Sequence, residues 1–431
     1  MRTEQPSDPL QGRRLLVAAS GSIAAVKTPL LVSALVKSGA EVRCLVTPSA
    51  AELVSPVALA SLSRHRCYQD GDEWSPSCSR PLHIELAEWA ELVLVAPLSA
   101  STLARWTQGL ADGLLASLLL ACECPVLAAA AMNTAMWRHP AVQGNWQTLH
   151  GFPNVMPLQP SAGLLACDRI GDGRMADPQL IELAAASLLN GEGQGAIVRR
   201  DWQGRRLLVT AGATEERIDA ARLLSNRSSG RMGVLLAQAA RMRGADVDLI
   251  HGPLQVPAAW LEGLNAHPIS SSQDLERELV RHQPAADAVA MLAAVADLRR
   301  RDGGLAEKPA KQELPGLMQA GWQEVPDLLR GLVLRRPPGQ RLLGFAALTG
   351  SDEELLSRGE EKRINKGCDL LFVNPIDRPD QGFSVDRNGG WLLGGGAAEP
   401  LPVRSKLALA HDLLDRLLAL KPRLEARPTS C

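Results

Sequence analysis

Short apolar runs alternate with longer stretches of helical periodicity along this chain. RLLVAAS (Arg14–Ser20) is bounded by charge and glycine, which predicts a buried strand. A Gly-Ser turn follows, then a helix through Lys37 that Gly39 closes. Glu41–Thr47, Leu92–Ala96 and Val126–Ala130 predict further strands, with helices over His83–Ala90 and Ser101–Ala121 between them. The pattern then restarts. QGRRLLV stands at Gln11–Val17 and again at Gln203–Val209, each time before a small-residue turn and a helix. No further match accompanies it, so we read two similar first strands and not a tandem repeat. A helix at Arg231–Arg243 follows, then strands at Val247–His251, Ala288–Ala293, Leu342–Ala347 and Leu370–Val373, and a long amphipathic helix at Ser405–Leu420. The Gly-rich, then basic stretch Asn190–Trp202 marks a boundary, giving domains 1–190 and 191–431. This alternation predicts an α/β protein of two doubly wound, Rossmann-like domains, with ligands beyond the carboxyl ends of the strands.

Charge narrows the function classes. The 431 residues carry 46 basic and 47 acidic side chains, for a net charge of −1, which argues against a nucleic-acid binder or a polybasic membrane anchor. No apolar run reaches the ~18–20 residues of a membrane span. The opening MRTEQPSDPLQG is polar and lacks the apolar core of a signal peptide, and eight scattered cysteines form no C-x-x-C pair. A reduced, cytoplasmic protein is expected. Only eight of the 46 basic residues are lysines. Where such a chain keeps Lys, a compact ammonium is wanted in place of a guanidinium fork.

The candidate chemistry of the first half lies at strand ends. Gly21, Ser22 and Ile23 form a small-residue turn into a helix, whose free N–H groups suit a phosphate. Thr47 ends the second strand, and Ser99, Ala100, Ser101 and Thr102 follow a third. G-x-G-x-x-G is absent, so a mononucleotide phosphate fits better than a dinucleotide. For any one of these turns alone, helix capping by Ser and Thr is the better reading. His83 (HIELAEWA), Asn133 (AMNTAMW) and Cys167 (ACDRIGDGRM) add a second layer. Singly they read as a cap, a turn residue and a buried thiol. Together with GSIAA and AP-x-S-A-x-T, they make residues 12–190 resemble the homo-oligomeric flavin-containing cysteine decarboxylases, specifically phosphopantothenoylcysteine decarboxylase. The resemblance implies a flavodoxin-like flavoprotein that binds FMN. In that family FMN oxidises the cysteinyl thiol to a thioaldehyde, CO₂ leaves, and hydride returns to the ene-thiol. It implies His83 as the imidazole near the reacting carboxylate, Asn133 as holder of that carboxylate and amide, and Cys167 as proton donor. The sequence departs from the family pattern at Val26, Ala130, Asp168 and Arg169.

The second half opens with TAGAT (Thr210–Thr214) and SNRSSGRMG (Ser225–Gly233), an anion nest at a helix start but no Walker A loop. Half of the lysines fall in two pairs. Lys308 and Lys311 lie in a Pro-containing loop, and Lys362 and Lys366 stand i,i+4 on one helix. A solvated helix face is the bland reading of the second pair; the bias towards arginine favours a triphosphate or acyl-phosphate role. With AAVAD, VPDLL, GFAA and CDLLFVN, residues 203–420 resemble the CTP-dependent bacterial phosphopantothenate–cysteine ligases. The resemblance implies CTP as co-substrate and Mg²⁺, with metal ligands not assigned. It implies Lys308 stabilising charge as an acyl-cytidylate forms, and Asn226 orienting that acyl-cytidylate for attack by the cysteine amine. Asp297, Lys308, Pro326, Asp327, Leu328, Leu329, Phe345, Lys362 and Lys366 are the implied CTP contacts. Departures are Ala310 within the lysine loop, Ala213 in the Gly-Pro-Thr turn, and Leu348 where an acid is usual.

A decarboxylase fused ahead of such a ligase is a known bacterial arrangement serving coenzyme A biosynthesis. The expected partners are therefore the small molecules 4′-phosphopantothenate, cysteine and CTP, with neither nucleic acid nor membrane. By family analogy the chain is a homo-oligomer, with trimeric decarboxylase units and dimeric ligase units, as in a dodecamer. A peptidyl-cysteine decarboxylase with a degenerate partner domain and a non-catalytic flavoprotein subunit are the rival readings. The ligase motifs weigh against the first, and the intact His83, Asn133 and Cys167 set against the second.

Overall fold

The computed structural model describes residues 9–76, 78–164, 170–190, 197–383 and 385–420. The chain divides into two compact units, 1–199 and 200–431, so the division falls inside the expected Asn190–Trp202 segment.

The first unit is built on β1 (Arg14–Ala19), β2 (Glu41–Val46), β3 (Cys67–Tyr68), β4 (Leu92–Leu98), β5 (Val126–Ala130) and β6 (Val155–Leu158). All pairings are parallel, in the order β3-β2-β1-β4-β5-β6. Without the two-residue edge strand β3, the order is the flavodoxin-like 2-1-3-4-5. All seven residues of β4 are buried, as a strand covered by helices on both faces requires. Leu16, Leu45, Val93 and Val95 of the sheet pack with Leu86, Leu103, Trp106 and Leu118 of its helices. The connection runs from β1 to its neighbour β4 by way of β2 and β3, so the order reverses between β1 and β4. The turns after those two strands meet there.

Two expected helices are corrected. The helix after β1 is a 3₁₀ turn, Ile23–Lys27, followed by an α-helix, Thr28–Lys37, with Pro29 in its first turn. Proline suits a helix start but cannot donate within one. The single helix expected over Ser101–Ala121 is two, Ala100–Thr107 and Leu114–Ala121. Gly109, at φ +69°, turns the chain between them. Helices Pro56–Ser63 and Pro178–Leu188 were not foreseen, although Ser55-Pro56 and Asp177-Pro178 signal both. Ser55 Oγ accepts from Ala58 N–H and Asp177 Oδ1 from Gln179 N–H. Ser161–Leu164 and Ile170–Arg174 form an antiparallel hairpin. Cys167 lies outside the described residues.

The second unit carries β7 (Arg206–Ala211), β8 (Asp246–His251), β9 (Asn265–Pro268), β10 (Ala288–Met291), β11 (Arg341–Leu348), β12 (Leu370–Pro375), β13 (Arg387–Leu393) and β14 (Glu399–Ser405). They order as β9-β8-β7-β10-β11-β12-β13-β14. The first six are parallel, and β13 and β14 extend the sheet antiparallel. That extension adds to the expected parallel sheet. The glycines around it (Gly389, Gly390, Gly394–Gly396) hide the strand period in the sequence. Gly233 lets helix Arg231–Met242 lie close on β7, since a Cβ there would stand 2.6 Å from Ala211 Cβ. Buried Arg243 then ties that helix to the last one, Lys406–Ala419. Its guanidinium pairs with Asp201 at 2.5 Å and Asp415 at 2.6 Å, and donates to His411 O.

Candidate active sites

In the first unit the β1 and β4 turns are tied together by buried hydroxyls. Ser20 Oγ donates to Pro97 O and accepts from Ser99 N–H, both at 2.8 Å. Ser99 Oγ accepts from Thr102 N–H and caps helix Ala100–Thr107. Thr47 Oγ1 caps the next turn through Ala50 N–H. Ser22 Oγ accepts from Ala24 N–H at 3.4 Å, so the capping reading holds for Ser22, Thr47 and Ser99. The same turns also line one cleft of about 310 Å³, with Gly21, Thr47, Ser49, Ser99, Ser101 and Thr102 on its wall. Gly21 is required by close approach, because a Cβ would stand 2.6 Å from Ser49 Cβ. Ser22, Ile23 and Ala100 do not line this cleft; Ile23 is exposed.

His83 does not cap its helix, which begins at Leu82. Its Nδ1 lies 2.5 Å from Glu73 Oε1, and its backbone N–H donates to Glu73 Oε2. Glu73 is nearly buried and His83 about a quarter exposed, so a carboxylate fixes one ring nitrogen and leaves Nε2 to act. The sequence reading missed Glu73. It sits in an acidic run, Asp70–Trp74, where nothing separates it from Asp70 or Asp72. Asn133 caps helix Thr134–Arg138 through Ala135 N–H at 2.8 Å and is exposed. Met132 N–H bonds to Gly173 O, which brings the hairpin arm 170–174 beside Asn133.

The second unit presents two clefts that share Ala293, Ala294, Phe345 and Ala347 as a wall. The larger, about 600 Å³, is lined by Asp297, Pro326, Asp327, Leu328, Leu329, Phe345, Lys362 and Lys366. Eight of the nine residues implied as CTP contacts thus meet at the carboxyl ends of β10 and β11. The ninth, Lys308, is exposed in its loop and does not line this cleft. Lys366 Nζ donates to Asp327 Oδ2 at 2.9 Å. Burial works against ionisation of Asp327, but the Lys366 ammonium and backbone N–H groups outweigh it and lower the carboxyl pKa. Burial, then the charges of Lys366 and Arg358, lower the Lys362 pKa, with Asp297 opposing. Lys366 thus has the Asp327 carboxylate as its partner, while Lys362 sits beside a second ammonium, an arrangement that a further anion in the cleft would relieve. Asn226 is anchored at the shared wall, donating from Nδ2 to Ala294 O and Val295 O at 3.2 and 3.1 Å.

The smaller cleft, about 130 Å³, forms at the anion nest expected from SNRSSGRMG, although the place of Lys406 in its wall was not foreseen. It is lined by Gly212, Ser228–Gly233, Asn374, Asn388 and Lys406. Gly230, at φ +73°, starts the helix, whose first turn, Arg231–Gly233, lines the cleft, with Arg231 N–H donating to Ser229 Oγ. Lys406 is 2% exposed and donates to Phe383 O at 3.1 Å. Burial, then the charge of Arg231, brings its pKa down to about 8. The lysine scarcity that flagged the two pairs applies equally to Lys406, and the helical pattern around it masked the signal.

These units and clefts define a two-part α/β protein with separate candidate sites at the carboxyl ends of its two sheets. Residues 3–188 match the family described as Flavoprotein, and residues 202–420 the DNA/pantothenate metabolism flavoprotein C-terminal domain. The chain is 38% identical to the coenzyme A biosynthesis bifunctional protein CoaBC of Mycobacterium tuberculosis, over 94% of this chain and 96% of that protein. It is 34% identical to its Bacillus subtilis counterpart (97% and 100%) and 33% to that of Escherichia coli (95% and 97%). Among solved structures, it is similar to a PPC decarboxylase mutant complexed with pantothenoylaminoethenethiol (37% identity, 40% of this chain, 95% of that one, TM-score 0.38). It is also similar to a C-terminal domain of CoaBC (26% identity, 51% and 96%, TM-score 0.41). The chain belongs to the CoaBC family of bifunctional coenzyme A biosynthesis proteins. It is an enzyme that joins a decarboxylase to a ligase. Among the described residues no helix is long and apolar enough to cross a membrane.

Proposed function

We propose that the second unit ligates cysteine to 4′-phosphopantothenate with CTP, and that the first decarboxylates the product to 4′-phosphopantetheine with FMN. The observation that carries the ligase reading is the gathering of eight implied contacts around one cleft with two closely spaced ammonium groups. The carboxylate of 4′-phosphopantothenate attacks the α-phosphorus of CTP, pyrophosphate leaves, and the cysteine amine then displaces CMP. Lys362 and Lys366 offset triphosphate charge, with Mg²⁺ sharing that task. Asp297, Phe345 and the Pro326–Leu329 segment hold the nucleotide. Lys308 acts from its loop on the developing charge, and Asn226 orients the acyl-cytidylate from the shared wall. The smaller cleft, with a helix N-terminus and the Lys406 ammonium, suits the other phosphorylated group.

In the first unit, the glycine approach at Gly21 and the hydroxyl-bearing turns at Thr47 and Ser99–Thr102 fit a mononucleotide phosphate. Bound FMN supplies the hydride acceptor that makes loss of CO₂ feasible. His83, oriented by Glu73, positions the reacting carboxylate or moves its proton. Asn133 holds the carboxylate and amide, and Cys167 returns a proton. The chain works as a homo-oligomer on small-molecule substrates. The deciding experiment supplies purified protein with 4′-phosphopantothenate, cysteine, CTP and Mg²⁺. CTP-dependent pyrophosphate release and CO₂ release from a yellow protein are expected. A colourless protein that releases neither defeats the reading.

A further inference from the structure

At the far edge of the second sheet, three side chains converge that the reactions above do not use. Asp248 projects from β8, His267 from the edge strand β9, and His282 ends helix Ser272–His282. One ligand atom from each lies within 4.8 Å of the others. Asp248 Oδ1 is 3.2 Å from His267 Nε2 and 3.8 Å from His282 Nδ1. The two rings lie 4.1 Å apart, tilted by 39°. On the other side of His282, its Nε2 is buried and makes no hydrogen bond among the described residues, while Glu278 Oε2 lies 3.4 Å away. None of these residues lines the clefts of the ligase site.

We propose that Asp248, His267 and His282 form a binding site for a divalent transition metal such as zinc. A tetrahedral ion with bonds of about 2.0–2.1 Å separates its ligands by about 3.3 Å, and the two Asp–His separations bracket that edge. Two imidazoles and one carboxylate, with no thiolate, are the donor set of borderline d-block ions. Calcium and magnesium call for more oxygen. His267 Nε2, His282 Nδ1 and Asp248 Oδ1 are the ligands, and water completes the fourth position. Glu278 is then the carboxylate that takes the free Nε2–H of His282 and holds its ring, the usual outer partner of a metal-bound histidine. A bound ion relieves the crowding of two imidazoles around one carboxylate, and ligation through His282 Nδ1 fixes the tautomer that presents Nε2–H to Glu278. It also pins a four-residue edge strand and a helix to β8.

The test uses the full chain, stripped with chelator and titrated with Co²⁺ in excess Mg²⁺, then with Zn²⁺ as competitor. Wild-type protein is expected to bind one more Co²⁺ than His267→Asn. The difference spectrum should carry visible d–d bands without sulfur charge transfer, lost on adding Zn²⁺. Asp248→Asn should lose the same equivalent, and Glu278→Gln should keep it about 10–100-fold more weakly. The Asp248 variant serves if the histidine variant misfolds by circular dichroism. Equal stoichiometry and spectra in wild type and variants overturn the site.

Discussion

Glu73 is a positioning residue for His83, and its loss should be felt through the imidazole. With the Glu73 carboxylate 2.5 Å from Nδ1, the ring keeps one tautomer and one orientation. Glu73→Gln should lower decarboxylation about 10–100-fold, the scale of losing a carboxylate that orients a functional histidine. Single-turnover CO₂ release measures it, and an unchanged rate removes Glu73 from the site. Lys406 gives a pH dependence. It loses its proton near pH 8 in the folded chain, against 10.5 for an ordinary lysine. Between those values the unfolded chain binds more protons, so stability rises with pH across that window. Anion binding in the smaller cleft moves the opposite way. The KM of the ligase for its phosphorylated substrates should rise as pH passes 8, and Lys406→Met should flatten that profile. His83 was legible because a family motif surrounds it. Glu73 and Lys406 were not, because their significance is burial and a partner brought from elsewhere in the chain.

At the level of elements, the local signals were strong and mostly sufficient. β1, β2, β4, β5, β8, β10, β11 and β12 fall within about two residues of the ends expected from apolar runs. The failures have local causes: Gly109 broke one helix, Pro29 shortened another, and glycines obscured β13. The tie between helices Arg231–Met242 and Lys406–Ala419 was invisible, because Arg243 looks like any surface arginine. Arg243→Ala should destabilise the second unit by about 3 kcal/mol, since it leaves Asp201 and Asp415 facing each other without their shared cation. Thermal unfolding of the variant checks this, and an unshifted midpoint contradicts it. The turn after β8 is equally constrained. A Cβ at Gly252 would stand 1.9 Å from Ala213 O, so Gly252→Ala should displace the Thr210–Thr214 turn and impair ligation more than global stability. Paired assays of ligation and melting separate the two effects.

The whole molecule is two units with separate chemistry, each carrying its own sheet and its own clefts. His83→Asn should therefore lower CO₂ release by about 10²–10⁴-fold and leave CTP-dependent ligation intact. A parallel fall in ligation by a folded variant would refute that separation. The sequence by itself determined the alternation of strands and helices, the two-unit plan, and most residues facing the candidate sites. Those depend on local patterning and on turn chemistry written in consecutive residues. Only tertiary structure decided which acid meets His83, which lysine is buried beside a helix N-terminus, and that Asp248, His267 and His282 converge. Each of those outcomes depends on strand order and packing, which bring together side chains too far apart in sequence for any local pattern to pair them.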